Sequence, residues 1–147
     1  MKRIVILGGN GDGLVAAEVI KDMALAGADV VLHGFLNDHQ AIGTMISEWP
    51  VLGRTADWML LDDDIVFHFS LLSVGKMRER SELISSFGIP RERVVSLIHP
   101  TVKLSTNCQV DPGVLITAYA VLQPGASVGF GCSIRSGANL GHDVTLG

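Results

Sequence analysis

The stretch IHPTVKLSTNCQVDPGVLITAYAVLQPGASVGFGCSIRSGANLGHDVTLG, residues 98–147, carries an aliphatic residue at every sixth position. That series is Ile98, Leu104, Val110, Ile116, Leu122, Val128, Ile134, Leu140 and Leu146. A second series of small or β-branched residues follows each aliphatic by four positions, with turn-forming residues in between. A period of six fits neither an α-helix nor a strictly alternating strand. The pattern therefore predicts repeating units of one short strand and one corner each.

Units of six residues are typical of a parallel β-helix, and we predict a left-handed one. If three units close one triangular coil, residues three units apart should stack on the same face. The matching sets are Ile98, Ile116 and Ile134; Leu104, Leu122 and Leu140; Val110, Val128 and Leu146. Fewer than three coils are complete at Gly147, so the chain is expected either to be a truncated form of a longer protein or to have its last rung covered by another chain.

Residues 1–97 alternate strand and helix patterns instead. We predict strands at 3–7, 30–36, 65–70 and 94–98, helices at 14–26 and 76–87, and an apolar, turn-bounded stretch at 49–53. Thr55 is predicted to cap a short helix that runs to about Leu61. This alternation implies a small parallel sheet with right-handed crossovers. The excess of acidic residues also lies before position 98, so the predicted domains are 1–97 and 98–147.

A glycine-rich turn, Gly8-Gly9-Asn10-Gly11-Asp12-Gly13, follows the first strand. Glycines let the backbone approach a phosphate, and the start of the next helix favours negative charge. The spacing fits the dinucleotide fingerprint only loosely, and Asp12 would repel a pyrophosphate unless its side chain turns away. Three interpretations stay open: a plain turn, a nucleotide-sugar site, or a nicotinamide cofactor site.

Composition excludes several classes of protein. A net charge of −4 argues against nucleic-acid binding. No stretch approaches the roughly 20 apolar residues that a membrane span requires, so we expect a cytoplasmic protein without a membrane partner. Cys108 and Cys132 are expected to be unpaired fillers of the β-helix, and no Cys/His spacing suggests a metal site.

Nearly the whole chain resembles the bacterial nucleotide-sugar N-acetyltransferases and sialic-acid O-acetyltransferases. This family places a small Rossmann-like domain before a left-handed β-helix. The matching segments are 4–13, Gly34-Phe35-Leu36-Asn37-Asp38, Pro50-Val51-Leu52-Gly53, His99-Pro100-Thr101 and Gly141-His142-Asp143-Val144-Thr145-Leu146-Gly147.

The resemblance implies an acetyl-CoA-dependent transferase for a nucleotide-linked amino sugar, with its active site between the subunits of a homotrimer. It assigns nucleotide-sugar binding to Gly8, Gly9, Gly11, Gly13, Asn37 and Asp38. It also assigns His142 as the general base and Asp143 as the residue that orients it. An imidazole suits a general base because its ordinary pKa is near neutral. From the repeat alone, His142 should lie on an outward corner rather than in the core.

Two alternatives come from other functional classes. The chain could be a nucleotide-sugar-binding or assembly module without turnover, because much of the family's acetyl-CoA site lies in coils beyond Gly147. It could also be a nicotinamide-binding domain fused to a trimerising β-helix.

Overall fold

The computed structural model describes residues 1–71 and 75–147. The first part of the chain forms a five-stranded sheet in the order β3-β4-β2-β1-β5. The strands are β1 (Lys2–Leu7), β2 (Val30–Leu36), β3 (Met45–Ile46), β4 (Trp49–Gly53) and β5 (Val66–Phe69). All neighbours pair in parallel except β3, which pairs antiparallel with β4 at the edge. The predicted parallel sheet is thus present, and the stretch 49–53 is one of its strands.

Two α-helices accompany this sheet: α1 (Asp12–Leu25) and α2 (Met77–Phe87). Helix α1 buries a small-residue face with Ala16, Ala17 and Ile20, so it packs closely against the sheet. Helix α2 has no buried residue and ends at Gly88 in the left-handed conformation that glycine adopts freely. Helix α1 begins two residues before its predicted start, and α2 begins one residue after its predicted start. Differences of this size are usual at helix ends.

The short helix at Thr55–Leu60 is a 3-10 helix, and its capping residue differs from the predicted one. Arg54 occupies the N-cap position, and its backbone N–H donates to the Asp57 carboxylate at 2.8 Å. Thr55 is already inside the helix, and its hydroxyl donates to Asp38 Oδ2 at 2.8 Å. The prediction of Thr55 as the cap was wrong because a carboxylate from another loop takes its hydroxyl.

The remainder of the chain coils into three parallel sheets of three short strands each. The strands are β6 (Leu97–Ile98), β7 (Lys103–Leu104), β8 (Gln109–Val110), β9 (Leu115–Ile116), β10 (Val121–Leu122), β11 (Ser127–Val128), β12 (Ser133–Ile134), β13 (Asn139–Leu140) and β14 (Thr145–Leu146). We call the sheets face A (β6, β9, β12), face B (β7, β10, β13) and face C (β8, β11, β14).

The register of these sheets confirms the predicted stacking. Ile116 pairs with Ile98 and Ile134, Leu122 with Leu104 and Leu140, and Val128 with Val110 and Leu146. Their side chains form one apolar interior with Val114, Ala120 and Ala126 from the second series. Both cysteines are free and pack, partly buried, against this interior, as predicted.

A third period of six lies in the corners. Asn107, Gly113, Tyr119, Gly125, Gly131, Gly137 and Asp143 all have a φ between 59° and 78°. The sequence pattern signals this series through glycine, asparagine and aspartate, which tolerate the left-handed region. Tyr119 is the exception, because a bulky side chain is strained there.

The two parts of the chain share an apolar core. Leu97 and Leu115 of face A pack in one cluster with Ile4 and Ile6 of the sheet and Ile20 of α1. The strand predicted at 94–98 is shorter than expected: it is the two-residue β6, which pairs with β9 of the β-helix, while Val94 forms an isolated bridge with Phe67. The domain boundary at 97/98 stays a prediction.

Among residues 1–71 and 75–147, no helix is both long and apolar enough to cross a bilayer.

Candidate functional site

The glycine-rich turn lies at the carboxyl end of β1, which pairs with β2 on one side and with the edge strand β5 on the other. In parallel α/β sheets, ligands bind in the crevice outside the carboxyl ends of the strands. Two glycines here have no room for a side chain: a Cβ at Gly8 would lie 2.7 Å from Ser70 O, and one at Gly9 would lie 2.4 Å from Asn37 Nδ2. Gly11 is the N-cap of α1 with φ 80°. The turn is therefore fixed by its glycines in this close-packed path.

Asn37 joins this turn to the loop after β2. Its Nδ2 donates to Gly8 O at 3.0 Å, and its Oδ1 accepts the backbone N–H of His39 at 2.8 Å and of Gln40 at 2.9 Å. The side chain is buried. Asn37 thus shapes the site by holding two loops together through three hydrogen bonds of its side-chain amide.

An open cleft of about 380 Å³ lies between these loops and α2. Its lining residues are Gly8, Gly9, Asn10, Asp12, Asn37, His39, Gln40, Ser70, Leu71 and Arg80. Arg80 of α2 brings a positive charge to the wall opposite the glycines and has no ion-pair partner among the described residues. A cleft with an α-helix N-terminus on one side and a guanidinium on the other is suited to a phosphorylated ligand.

Asp38 is one of three predicted binding residues, with Gly11 and Gly13, that are not among the described residues that line the cleft. Its Oδ1 accepts the backbone N–H of Thr55 at 2.9 Å, and its Oδ2 accepts the Thr55 hydroxyl. Arg54 also donates to its backbone carbonyl. Both carboxylate oxygens of Asp38 are engaged with the 3-10 helix.

Asp12, at the first turn of α1, forms an ion pair with a residue of the β-helix. Arg135, which follows β12 on face A, donates from Nη2 to Asp12 Oδ1 at 2.8 Å. Both side chains are about half exposed, at 55% and 45%. This contact joins the glycine-rich turn to the repeat segment.

His142 lies on the corner between faces B and C. Its side chain is 85% exposed, and its Nδ1 lies 3.3 Å from Asp143 Oδ2. Donation from Nδ1–H to Asp143 leaves the lone pair on Nε2 free to accept a proton. Asp143 has φ 59° and lies directly over Gly125, where a Cβ would come within 2.2 Å of its Oδ1. Outward placement of His142 is what the repeat predicted.

The structure does not bring His142 and the cleft together within one chain. The cleft and α1 adjoin face A, whereas His142 lies at the corner opposite that face. None of the residues that line the cleft comes from the corner at residues 141–144.

His68 of β5 is a buried histidine that the sequence did not distinguish. Its ring is 1% exposed, and Nδ1 lies 3.0 Å from Val95 O. Burial lowers the pKa of His68 to about 4, only partly offset by that hydrogen bond. The ring is therefore neutral near pH 7 and donates from Nδ1.

Sequence reasoning missed Arg80, Ser70, His39 and Gln40 as lining residues. Ser70 and His39 follow the carboxyl ends of β5 and β2, and that position was a usable signal. Nothing in the charged pattern of α2 distinguishes Arg80 from Arg78, because the difference lies in how the helix docks. Among the described residues, no group of three His, Cys, Asp or Glu side chains could hold a metal ion.

No protein-family model matches this sequence, and no curated protein matches it at a significant level. Solved structures do match. The acetyltransferase domain of PglB from Neisseria gonorrhoeae FA1090, in complex with acetyl coenzyme A, superposes with a TM-score of 0.76 at 21% identity, over 98% of this chain and 66% of that one. PerB from Caulobacter crescentus, in complex with CoA and GDP-perosamine, gives 0.74 at 23% identity, over 99% and 65%.

These likenesses show a shared fold. The protein spans about two thirds of the length of these structural neighbours.

Proposed function

We propose that this chain belongs to an acetyl-CoA-dependent acetyltransferase that acts on a nucleotide-linked amino sugar in the synthesis of surface polysaccharides or other glycan precursors. The observation that carries the proposal is the cleft at the carboxyl end of β1, with its glycine-rich turn and Arg80, in a fold shared with sugar acetyltransferases. In the proposal, the first part of the chain is the Rossmann-like nucleotide-sugar domain and the second is a left-handed β-helix.

The nucleotide end of the substrate would enter the cleft. Gly8, Gly9, Gly11 and Gly13 would let its phosphates approach the backbone at the start of α1, where the N–H groups of Asp12 and Gly13 lack helical partners and that of Leu14 donates to Gly11 O. Arg80 supplies a charged donor from the opposite wall.

Asn37 and Asp38 would contribute to substrate binding by fixing the loop after β2. Asn37 bridges that loop to Gly8, and Asp38 anchors it to Thr55. Their side chains set the position of His39 and Gln40, whose surfaces face the cleft.

His142 would act as the general base. Its Nε2 accepts the proton of the sugar amine or hydroxyl as that group attacks the thioester carbonyl of acetyl-CoA, and the CoA thiolate leaves as the tetrahedral intermediate collapses. The Asp143 carboxylate orients the ring through Nδ1. Backbone N–H groups stabilise the oxyanion, which is the largest electrostatic demand of acyl transfer.

The separation of His142 from the cleft supports a homotrimer with the active site between subunits. A second copy that packs its B–C corner beside the first copy's cleft would unite the two halves, and closed symmetry repeats the arrangement three times. A cytoplasmic location fits the supply of acetyl-CoA and nucleotide sugars.

A second candidate is a binding or assembly module without turnover. The observation in its favour is that the described residues form the cleft without His142, which lies exposed away from it.

Calorimetry with UDP- and GDP-linked amino sugars, acetyl-CoA and NAD, together with a thiol-release assay, tests the proposal. We expect nucleotide-sugar binding, CoA binding and thiol release that requires both substrates. Arg80→Gln should weaken sugar-nucleotide affinity about tenfold, the loss of one charge-assisted contact, while Arg78→Gln on the same helix changes nothing. Sugar-nucleotide binding without CoA binding would favour the module, and NAD binding alone would refute the proposal.

A further inference from the structure

We infer that Arg135 is a positioning residue for the cleft: by pairing with Asp12, it neutralises the one carboxylate that would otherwise repel a diphosphate from the glycine-rich turn. The inference rests on the proposed function, because it names the chemical group that the turn must accept. It assigns a task in ligand binding to a β-helix residue that lies outside the cleft itself.

Asp12 creates an electrostatic problem at this site. It is the first residue of α1 and lines the cleft beside Gly8 and Gly9, where the phosphates would lie. A carboxylate in the first turn stabilises the helix, but it also competes with any anionic ligand for the same positive end of the helix. Like charges a few ångströms apart repel strongly unless a counter-charge lies close by.

Arg135 supplies that counter-charge from a column of corner residues that runs beside α1. The residues one and two coils before it are Thr117 and His99, and His99 Nε2 lies 2.8 Å from Asp22 Oδ2 on the same helix. Arg135 and Asp12 make the corresponding contact at the start of α1. Both contacts join α1 to the β-helix, and the second places a positive charge beside the first turn of that helix.

The exposure of the Arg135–Asp12 pair indicates that Arg135 acts on ligand binding rather than on stability. With side chains 55% and 45% exposed, the ion pair lies largely in solvent, where such pairs add little to stability. Loss of Arg135 should therefore leave the protein folded, while it uncovers the Asp12 charge at the cleft. Loss of both the Asp12 carboxylate and the Arg135 guanidinium should remove the repulsion of the diphosphate.

A charge-rescue series tests this with GDP and UDP as probes, and with guanosine and uridine as their uncharged counterparts. Arg135→Ala should weaken binding of the better diphosphate about tenfold and change binding of its nucleoside less than about twofold. The double variant Asp12→Asn, Arg135→Ala should restore the diphosphate affinity to within about threefold. Lys103→Ala removes the positive charge of an exposed residue on face B. It is the matched control and should leave the diphosphate affinity unchanged.

Two results would overturn the inference. If the double variant binds the diphosphate as weakly as Arg135→Ala does, Arg135 acts by contact or by structure, and the proposed function still stands. If the unmodified protein binds neither diphosphate better than its nucleoside, the inference and the proposed function fail together.

Discussion

The cleft at the end of β1 is lined by several elements of one chain, whereas the corner that carries His142 is open to solvent. The described walls of the cleft come from three loops and α2, and the side-chain amide of Asn37 makes three hydrogen bonds between two of these loops. The side chains of the corner make one hydrogen bond, between the adjacent residues His142 and Asp143, and the histidine is 85% exposed. Under the proposed function, each chain would bind the nucleotide sugar in its own cleft and present His142 to the cleft of another copy.

The largest expected effect concerns the corner. His142→Asn should lower kcat about 10²- to 10⁴-fold, the range for loss of a general base, while the Kd for the nucleotide sugar stays within about twofold. Thiol release and calorimetry on the same sample check the two quantities. His33→Asn, at an exposed histidine of β2, is the control. A loss of affinity equal to the loss of kcat would place His142 in the binding half instead.

The next effect is on the pH dependence of stability, and it concerns the buried His68 in contrast to the exposed His142. The folded-state pKa of His68, about 4, lies below the value of 6.5 expected when unfolded, so the unfolded chain binds the extra proton as pH falls between these values. Stability should therefore be full above pH 6.5 and decline toward pH 4, by about 3 kcal/mol from this group.

Denaturant unfolding from pH 7 to pH 4 measures this decline. His68→Asn keeps a donor for Val95 O without a titrating ring, so its profile should be flatter than that of the unmodified protein. An identical slope in both proteins would assign the acid sensitivity to other groups.

A smaller effect tests how tightly the cleft is packed. Gly9→Ala brings a Cβ against Asn37 Nδ2 and should cost about 1–3 kcal/mol of stability, with a loss of nucleotide-sugar affinity as the two loops separate. Gly141→Ala beside His142 meets only an ordinary contact at 3.5 Å, so it should leave affinity unchanged. Thermal unfolding and calorimetry compare the two. Equal tolerance of both substitutions would contradict the difference in packing.

The smallest expected effect is a change in stability at the corner between faces A and B. Tyr119→Gly removes a strained left-handed residue, and the gain should exceed the entropic cost of glycine by about 0.5–1 kcal/mol. Ala118→Gly, at a residue without positive φ, should destabilise by a similar amount. A lower Tm for Tyr119→Gly would show that the exposed ring makes contacts that outweigh the strain.

The β-helix could be predicted residue by residue because each unit repeats one environment, so Ile98, Ile116 and Ile134 report the same constraint. The sheet and α1 could be predicted from local patterns, with small errors at their ends. The outward position of His142 also followed from the repeat.

The remaining features depend on contacts that no local pattern records. Arg135 meets Asp12 across 123 positions of the chain, and Asp38 turns to Thr55 because the 3-10 helix lies there. Arg80 reaches the cleft through the docking of α2. Such pairings arise only once the elements have packed.

The most direct test of a site shared between copies is a mixed assembly. His142→Ala and Arg80→Glu chains, each inactive alone at low substrate, are co-expressed with different tags and purified through both. If the cleft of one chain works with His142 of another, each doubly purified trimer holds one site of three that combines two intact halves, so it should recover up to about a third of the unmodified activity. No recovery from an assembly shown to contain both chains would contradict the shared site.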